Sequence, residues 1–338
     1  MTVRAVVLER PGVVGIEPRP QEPTGSGQAL VRFRAAGICG SDLSAYRGTS
    51  PLVTYPRVIG HEVLVDVLEA AGRPGLEGRR AVLDPMVPCG RCHACRAGRS
   101  NCCAELKVMG VHVDGGLQEE WSVDARQLAP VPDTMPDETA VLAEPLTVAY
   151  HAVQRSSIDA GHIAAVIGVG TIGLLIAQLL LRARGCRVLV VDVDQDRLTI
   201  AQSLGAVALQ GDEATLVRAV ADQTGGDMAD VVFEASGSSA ATSMTASLAA
   251  HAGRIVLVGW NQGPVAIDTV TLMRKEVDLL GSRNSVNAFP AVLRLLADGV
   301  IDPTVLITHR FTLPEAGVGL QVLDRNEGIV LKVLIQAE

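Results

Sequence analysis

The sequence predicts an α/β protein in which a doubly wound parallel sheet is joined to a barrel-like, mostly β domain. Residues 148–287 alternate strand-like and helix-like runs, which is typical of a parallel sheet covered by helices. Residues 1–147 instead contain short strand patterns separated by Gly and Pro, which favours a mostly β domain. The length of 338 residues also fits about two domains.

In the first domain the alternating apolar residues predict strands at 3–9, 28–36, 61–70 and 79–84 and, in broken form, at 117–131. The second domain opens with a strand, a helix and a strand across residues 163–192. Further helices are predicted at 194–204, 213–224 and 239–250, with strands at 206–210, 230–234, 254–259 and 277–281.

The C-terminal tail, residues 288–338, shows one predicted helix at 289–298 and ends in a strand at 329–335. We expect this strand to return to the first domain. The domains are therefore predicted as 1–147 with 288–338, and 148–287.

The charge balance excludes several classes of partner. Lys and Arg number 29 against 37 Asp and Glu, for a net charge of −8, and no basic block occurs. Nucleic acid and anionic membrane surfaces are therefore not expected as partners. The first residues form a strand pattern rather than a signal peptide, so we expect a cytoplasmic enzyme acting on a small molecule.

A glycine-rich turn follows the first strand of the second domain. Gly168-Val-Gly170-Thr-Ile-Gly173 has the G-x-G-x-x-G spacing, which lets the backbone turn tightly and approach a pyrophosphate at a helix N-terminus. Asp192 ends the next strand, where its carboxylate would accept from ribose hydroxyls and favour NAD over NADP. The predicted cofactor-binding residues are Gly168, Gly170, Thr171, Ile172, Gly173, Asp192 and Arg197.

Residues 163–181 contain no charged side chain and are long enough to be considered as a membrane span. Three glycines interrupt a uniform helix there, and no other segment is comparable. A buried strand followed by a buried helix is therefore the preferred interpretation.

Four cysteines indicate a structural metal site. Cys89, Cys92, Cys95 and Cys103 have the spacing C-x2-C-x2-C-x7-C, which allows four thiolates to surround zinc with no open position. Cys102 is adjacent, and the spacing does not choose between it and Cys103 as the fourth ligand. Free thiols or disulfides are the alternative.

Three further motifs suggest an open zinc site. They are Gly37-Ile-Cys39-Gly-Ser41-Asp42, Gly60-His61-Glu62 and Glu144-Pro-Leu. A lone Cys or His is more often a packing residue than a ligand. Together, however, a thiolate, an imidazole and a carboxylate would leave one zinc position for water or substrate.

Taken in their order along the chain, the three zinc-site motifs, the four-cysteine motif and the glycine turn resemble those of the zinc-dependent medium-chain alcohol dehydrogenase family. The resemblance covers essentially the whole chain. The resemblance implies a GroES-like catalytic domain and a Rossmann NAD-binding domain, two zinc ions per chain and a dimer or tetramer. It also implies hydride transfer between an alcohol and NAD, with zinc acting as a Lewis acid. The classical alcohol dehydrogenases of this family have Cys at the position of Glu144, whereas the polyol and threonine dehydrogenase branch has Glu. In this respect the chain resembles the second branch.

The same resemblance implies roles for individual residues. Cys39, His61 and Glu144 would bind the catalytic zinc, and Glu62 would lie close enough to exchange with water on the metal. Asp42 would orient the ligand histidine, and Ser41 would take the substrate proton. For Ser41 and Asp42, the alternative is capping of a helix that begins there. Many members of the family have a relay histidine five residues after the zinc cysteine, but this chain has Ser44.

Shorter motifs, including Gly281-Ser-Arg283-Asn and Thr308-His-Arg-Phe, resemble L-galactonate 5-dehydrogenase-like sugar-acid dehydrogenases. Arg283 is a candidate for binding a substrate carboxylate or hydroxyl, or else for pairing with Glu62 or Glu144. Tyr46 is a candidate pocket residue, although large aromatic side chains more often serve packing. The alternatives are a threonine 3-dehydrogenase, a sorbitol- or galactitol-type polyol dehydrogenase, and a redox-sensing or structural relative without catalysis.

Overall fold

The computed structural model describes residues 2–21, 23–261 and 263–338. The chain folds into two compact units. The first comprises Met1–Glu144 and Phe289–Glu338, and the second comprises Pro145–Ala288. The domain boundaries predicted from the sequence lie within a few residues of these bounds and remain a prediction.

The described residues form eighteen strands, numbered in chain order. In the first unit these are β1 (Thr2–Arg10), β2 (Val13–Pro20), β3 (Gln28–Ile38), β4 (Arg57–Val58), β5 (Glu62–Ala70), β6 (Arg80–Leu83), β7 (Met86–Val87), β8 (Lys107–Val108), β9 (Glu120–Asp124) and β10 (Leu128–Pro130). In the second unit they are β11 (Ile163–Ile167), β12 (Arg187–Val191), β13 (Val207–Leu209), β14 (Ala229–Glu234), β15 (Ala249–Leu257) and β16 (Asp278–Gly281). The chain then returns to the first unit with β17 (Ile307–Thr312) and β18 (Lys332–Gln336).

The same described residues form eleven α-helices. They are α1 (Gly40–Tyr46), α2 (His93–Arg96), α3 (Asp137–Ala140), α4 (Ala143–Ser156), α5 (Thr171–Gln178), α6 (Gln195–Ser203), α7 (Glu213–Thr224), α8 (Ser239–Leu248), α9 (Thr269–Lys275), α10 (Phe289–Ala297) and α11 (Ala316–Arg325). A π-helical stretch, Leu179–Arg184, continues α5.

The first unit is built around a seven-stranded sheet. Its strand order is β10-β6-β5-β3-β18-β17, with β9 also paired to β3, and β2-β1-β4 form a separate sheet. Apolar side chains that alternate along β3 and β5 are buried in one core with residues of β1, β9 and β18. β18 is antiparallel to β3, so the end of the chain lies beside the strand that leads into Cys39.

The second unit is a six-stranded parallel sheet in the order β13-β12-β11-β14-β15-β16. The first strand of this unit, β11, therefore lies in the middle of the sheet. β12 and β13 extend the sheet to one edge, and β14, β15 and β16 extend it to the other. This is the doubly wound arrangement of a Rossmann domain, in which ligands bind at the carboxyl ends of the strands where the order reverses. The predicted fold class is confirmed.

Residues 163–181 form β11, a tight turn, α5 and the beginning of the π-helical stretch. No helix among the described residues is long and apolar enough to cross a membrane. The preference for a buried strand and helix is therefore confirmed.

The prediction of one helix in the C-terminal tail is wrong, because α11 follows α10. Gly317 and Gly319 lower the helix propensity of this segment, which explains why its sequence did not indicate a helix. A β-carbon at Gly319 would lie 3.0 Å from a Val333 side-chain carbon, so the glycine allows α11 to pack closely on β18. Tertiary packing therefore outweighs the weak local preference.

Candidate active site and cofactor-binding turn

Cys39, His61 and Glu62 lie together in the first unit. Each offers one ligand atom, and these atoms lie within 4.8 Å of one another. Antiparallel pairing places Gly37 of β3 opposite Glu62 of β5, so the end of one strand meets the start of the other. Two segments far apart in sequence thereby bring a thiol, an imidazole and a carboxylate to one point.

Asp42 positions both segments of this cluster. Its carboxylate accepts from the Cys39 backbone N–H at 2.9 Å and from the Gly60 backbone N–H at 3.4 Å. It also faces His61, with 3.6 Å between Asp42 Oδ1 and His61 Nδ1. Asp42 therefore caps the start of α1 and also faces the imidazole. Its role in orienting a ligand histidine stays a prediction.

The environment of His61 favours its positively charged form. Burial alone lowers the pKa of this imidazole, but the negative charge of the nearby Asp42 carboxylate, followed by the effects of Cys39, raises that pKa well above its ordinary value. The pKa of Asp42 is lowered even though burial opposes this, because His61 and two backbone N–H groups favour the carboxylate. A bound cation would replace the proton as the positive charge here.

The two serines of α1 differ in their surroundings. Ser41 is exposed, and its Oγ lies 3.2 Å from Nε2 of His61. Ser44 donates its hydroxyl to the Gly40 carbonyl at 3.0 Å, a hydrogen bond within the helix. Ser41 therefore lies directly beside the imidazole, whereas Ser44 is engaged with the backbone.

Glu62 forms a buried ion pair that was not predicted from the sequence. Lys332 Nζ donates to both carboxylate oxygens, at 2.7 and 2.8 Å, and to the Ile38 carbonyl at 3.2 Å. The side chains of Lys332 and Glu62 are only 3% and 1% exposed. A β-carbon at Gly37 would lie 2.1 Å from Glu62 Oε2, so a larger residue there would displace the Glu62 carboxylate.

Glu144 lies in the first turn of α4. It is not among the three residues whose ligand atoms lie within 4.8 Å of one another. Burial raises the pKa of its carboxyl to about 8; the charges of Glu62 and Asp84 act in the same direction, and those of His61 and Lys332 oppose it. Glu144 is therefore near enough to interact electrostatically with the cluster.

The four cysteines of the predicted structural zinc site also lie together. The sulfur atoms of Cys89, Cys92, Cys95 and Cys103 lie within 4.8 Å of one another, and Cys102 is not in this group. Backbone N–H groups of Cys95 and Ala104 lower the pKa of the Cys92 thiol to about 6. Four sulfur donors in this arrangement fit a tetrahedral zinc ion.

The glycine turn has the shape of a phosphate cradle. Gly168 has a φ of +87°, and a β-carbon there would lie 2.6 Å from Cβ of Ser236. A β-carbon at Gly173 would lie 1.9 Å from the Gly168 carbonyl oxygen. A β-carbon at Gly170, in contrast, would meet only the Arg197 guanidinium, at 3.8 Å. This opening at the start of α5, which begins at Thr171 and Ile172, fits a pyrophosphate.

Asp192 connects the turn to the next strand. It follows β12 and accepts from the backbone N–H groups of Val169 at 2.7 Å and Asp194 at 3.0 Å. Asp194 in turn caps α6 and lies 3.4 Å from the Arg197 guanidinium. The carboxylate of Asp192 is thereby held at the carboxyl edge of the sheet.

The two substrate candidates lie in different units. Arg283 is exposed in the loop after β16, and this loop is fastened to α4 by a 2.9 Å hydrogen bond from Ser285 to Thr147. Tyr46 is partly buried against the apolar core of the first unit. Their roles toward a substrate remain predictions.

Comparison with known proteins shows the family. Residues 25–133 match the family described as alcohol dehydrogenase GroES-like domain, and residues 171–298 match zinc-binding dehydrogenase. A zinc-type alcohol dehydrogenase-like protein from Haemophilus influenzae is 39% identical over 98% of both chains. The chain belongs to the zinc-type alcohol dehydrogenase family. It is thus an oxidoreductase that acts on alcohols, and zinc is its metal.

Two further relatives bear on the cofactor and substrate. L-Galactonate-5-dehydrogenase from Escherichia coli is 33% identical to this dehydrogenase over 92% of each chain. The crystal structure of an alcohol dehydrogenase from Escherichia coli CFT073, complexed with NADH, has a TM-score of 0.94 at 32% identity and covers 99% of both chains.

Proposed function

We propose that this dehydrogenase uses NAD and zinc to oxidise a secondary alcohol of a sugar acid, with L-galactonate as the model substrate. The observation that carries the proposal is that the thiol of Cys39 and the imidazole of His61 lie within 4.8 Å of each other, with Asp42 beside the imidazole. The similarity to L-galactonate-5-dehydrogenase supports the substrate class, and the NADH-bound relative supports the cofactor.

Cys39, His61 and Glu144 are the proposed ligands of the catalytic zinc. Glu144 rather than Glu62 supplies the carboxylate, because Lys332 holds both oxygens of Glu62. Zinc would supply Lewis-acid polarisation of the alcohol oxygen. Asp42 keeps Cys39 and His61 in place by accepting from the Cys39 N–H and facing the imidazole.

Ser41 is the proposed proton acceptor. Its exposed hydroxyl, beside Nε2 of His61, takes the proton of the alcohol and passes it to water. Bound NAD would accept the hydride of the alcohol carbon, and the products would be a ketone, NADH and a proton. Ser44 takes no part, because its hydroxyl donates to the Gly40 carbonyl.

The second unit is proposed to hold NAD. Gly168, Gly170 and Gly173 shape the pyrophosphate turn, and Asp192 accepts from the adenosine ribose, which disfavours the phosphate of NADP. Cys89, Cys92, Cys95 and Cys103 hold a second, structural zinc ion in the first unit.

Arg283 is proposed to bind the carboxylate of the sugar acid. We predict that Arg283→Ala raises KM for L-galactonate about 10- to 100-fold, the cost of one lost charged hydrogen bond, and changes KM for sorbitol much less. The matched control is Arg182→Ala, which removes another arginine of the same unit. Equal effects of Arg283→Ala on the acid and the neutral polyol would contradict the carboxylate role.

The function itself is tested with L-galactonate, L-idonate, L-threonine, sorbitol and galactitol, each with NAD and with NADP. The proposal requires the highest kcat/KM for a sugar acid with NAD. Preference for L-threonine, sorbitol or galactitol would establish the second candidate, a threonine or polyol dehydrogenase, which Glu at position 144 also favours in this family.

We also propose a homo-oligomer in the cytoplasm. Leu279 on the edge strand β16 is 43% exposed, and Val270 and Met273 on neighbouring α9 are 57% and 73% exposed. Among the described residues β16 pairs with β15 alone, and an edge strand with exposed apolar side chains invites pairing with a second copy of the chain.

A further inference from the structure

Glu234 is a buried carboxylate that the proposed mechanism does not use. It is the last residue of β14 and is 0% exposed. Its Oε1 accepts from the backbone N–H groups of Ser236 at 2.8 Å and Gly237 at 3.0 Å, and from the Ser236 hydroxyl at 2.5 Å. One oxygen thus folds the residues that follow β14 into a tight loop.

The second oxygen of Glu234 lies beside the segment that follows the neighbouring strand, β15. Oε2 has no hydrogen-bond partner among residues 2–21, 23–261 and 263–338. It lies against Gly259, where a β-carbon would be 2.6 Å away. The Glu234 backbone carbonyl accepts from the N–H groups of Val258 and Gly259, at 2.8 and 2.9 Å. The residue therefore joins two loops at the carboxyl edge.

The loop held by Glu234 also supports the glycine turn. Ser236 is the residue that a β-carbon at Gly168 would strike, and the Ala235 N–H donates to the Ile167 carbonyl at 2.8 Å. On its other side, Gly237 packs against the Trp260 backbone, 2.9 Å from the position of a β-carbon. The loop that the Glu234 side chain folds therefore contacts two neighbouring segments at the ligand-binding edge.

We infer that Glu234 is a positioning residue for the nicotinamide half of the cofactor. The inference rests on the proposed binding of NAD by this unit. In a doubly wound sheet each half binds one mononucleotide, and β14 begins the half opposite Asp192. Glu234 would not touch the cofactor; it holds the loop of residues 235–237 and contacts residues 258–259, and these loops would border the nicotinamide half.

The test compares Glu234→Gln with Asp230→Asn. Asp230 lies on the same strand but at its opposite end, where its carboxylate accepts from the Ile163 N–H at 2.7 Å. For each variant, dissociation constants are measured for NADH and for adenosine monophosphate, which occupies only the half near Asp192, together with thermal unfolding.

Glu234→Gln removes the negative charge that strengthens the three hydrogen bonds to Oε1, and it sets an amide NH2 group against Gly259. We therefore expect it to raise the dissociation constant for NADH about tenfold, or about 1.4 kcal/mol, and to leave that for adenosine monophosphate unchanged. Asp230→Asn should change neither constant. If Glu234→Gln does not fold, Ser236→Ala removes one of the three donors and should show the same selectivity at a smaller magnitude. A loss of stability alone cannot produce a difference between the two ligands.

Equal weakening of both ligands, or unchanged NADH binding in a folded Glu234→Gln or Ser236→Ala protein, would overturn the inference while leaving the proposed function intact. Failure of the wild-type protein to bind NADH would overturn the proposed function and this inference together.

Discussion

The ion pair of Glu62 and Lys332 shows how strongly single residues depend on partners far away in sequence. The two side chains are almost fully buried, and β18 brings Lys332 beside the β3–β5 pair near the end of the chain. Burial by itself lowers the pKa of Lys332, but the charge of Glu62, followed by that of Cys39, raises it. The lysine therefore stays charged and compensates the carboxylates around the candidate zinc site.

We predict that Lys332→Met lowers the free energy of unfolding by about 3–5 kcal/mol, because it leaves a buried carboxylate without its partner. The double variant Glu62→Gln with Lys332→Met should cost much less than the sum of the two single variants. The free energy of unfolding is measured in urea, at matched zinc content, for the wild type, the two single variants and the double variant. Additive losses would contradict energetic coupling between the two residues.

The individual site residues were predictable to different extents. Cys39, His61 and Glu62 could be chosen from local motifs, and the structure brings these three together. Lys332 carries no local signal, since its partner is 270 residues away. Glu234 was also missed, although an acidic residue directly after the apolar run Val231–Phe233 is unusual at the end of a buried strand.

At the scale of elements, the loop from β7 to β8 is defined by sulfur atoms more than by apolar packing. Among the described residues, Met86, Cys103 and Leu106 form a small buried cluster here, and Val108 and three of the cysteines pack against it. Three of the four clustered cysteines are partly exposed, so this loop has little core of its own. A bound metal would therefore supply much of its stability.

We predict that Cys103→Ser lowers the zinc content from about two atoms per chain to about one. Cys102→Ser is the matched control, because Cys102 is outside the sulfur cluster, with its thiol near the Arg99 guanidinium. That control should retain both zinc atoms. Metal analysis of the purified variants decides the question, and loss of zinc from Cys102→Ser alone would reverse the assignment.

Elements with clear periodicity were predictable, and those stabilised by their neighbours were not. Helix α7, Glu213–Thr224, has the bounds expected from its pattern. Strand β2 was missed because Pro18 and Pro20 interrupt its sequence, and they are tolerated on an edge strand. Helix α9 was missed because none of its residues is buried, so it has no apolar stripe.

Over the whole molecule, the second unit is inserted into the sequence of the first, which is formed by Met1–Glu144 and Phe289–Glu338. The alternation of strands and helices in residues 148–287 predicted the parallel sheet, and its strand order is that of a Rossmann domain. The oligomeric state could not be predicted from the sequence, since it depends on which apolar side chains remain exposed after folding.

We predict that Leu279→Lys shifts the protein from an oligomer to a monomer, because it places a charge on the exposed edge strand β16. Light scattering after size exclusion measures the mass directly. The control is Val305→Lys, which adds the same charge at another exposed apolar side chain, in the first unit. A monomeric wild type, or an unchanged mass for Leu279→Lys, would contradict the role of this edge.

We propose that zinc held by Cys39, His61 and Glu144 supports hydride transfer from a sugar acid to NAD. The rate of NADH formation from L-galactonate tests this role when the zinc-loaded wild type is compared with Cys39→Ser. We predict steady NADH formation by the wild type and only a background rate for Cys39→Ser, which keeps its structural zinc. An unchanged rate in Cys39→Ser, or no NADH formation from any of the five alcohols by a wild type carrying both zinc atoms, would contradict it.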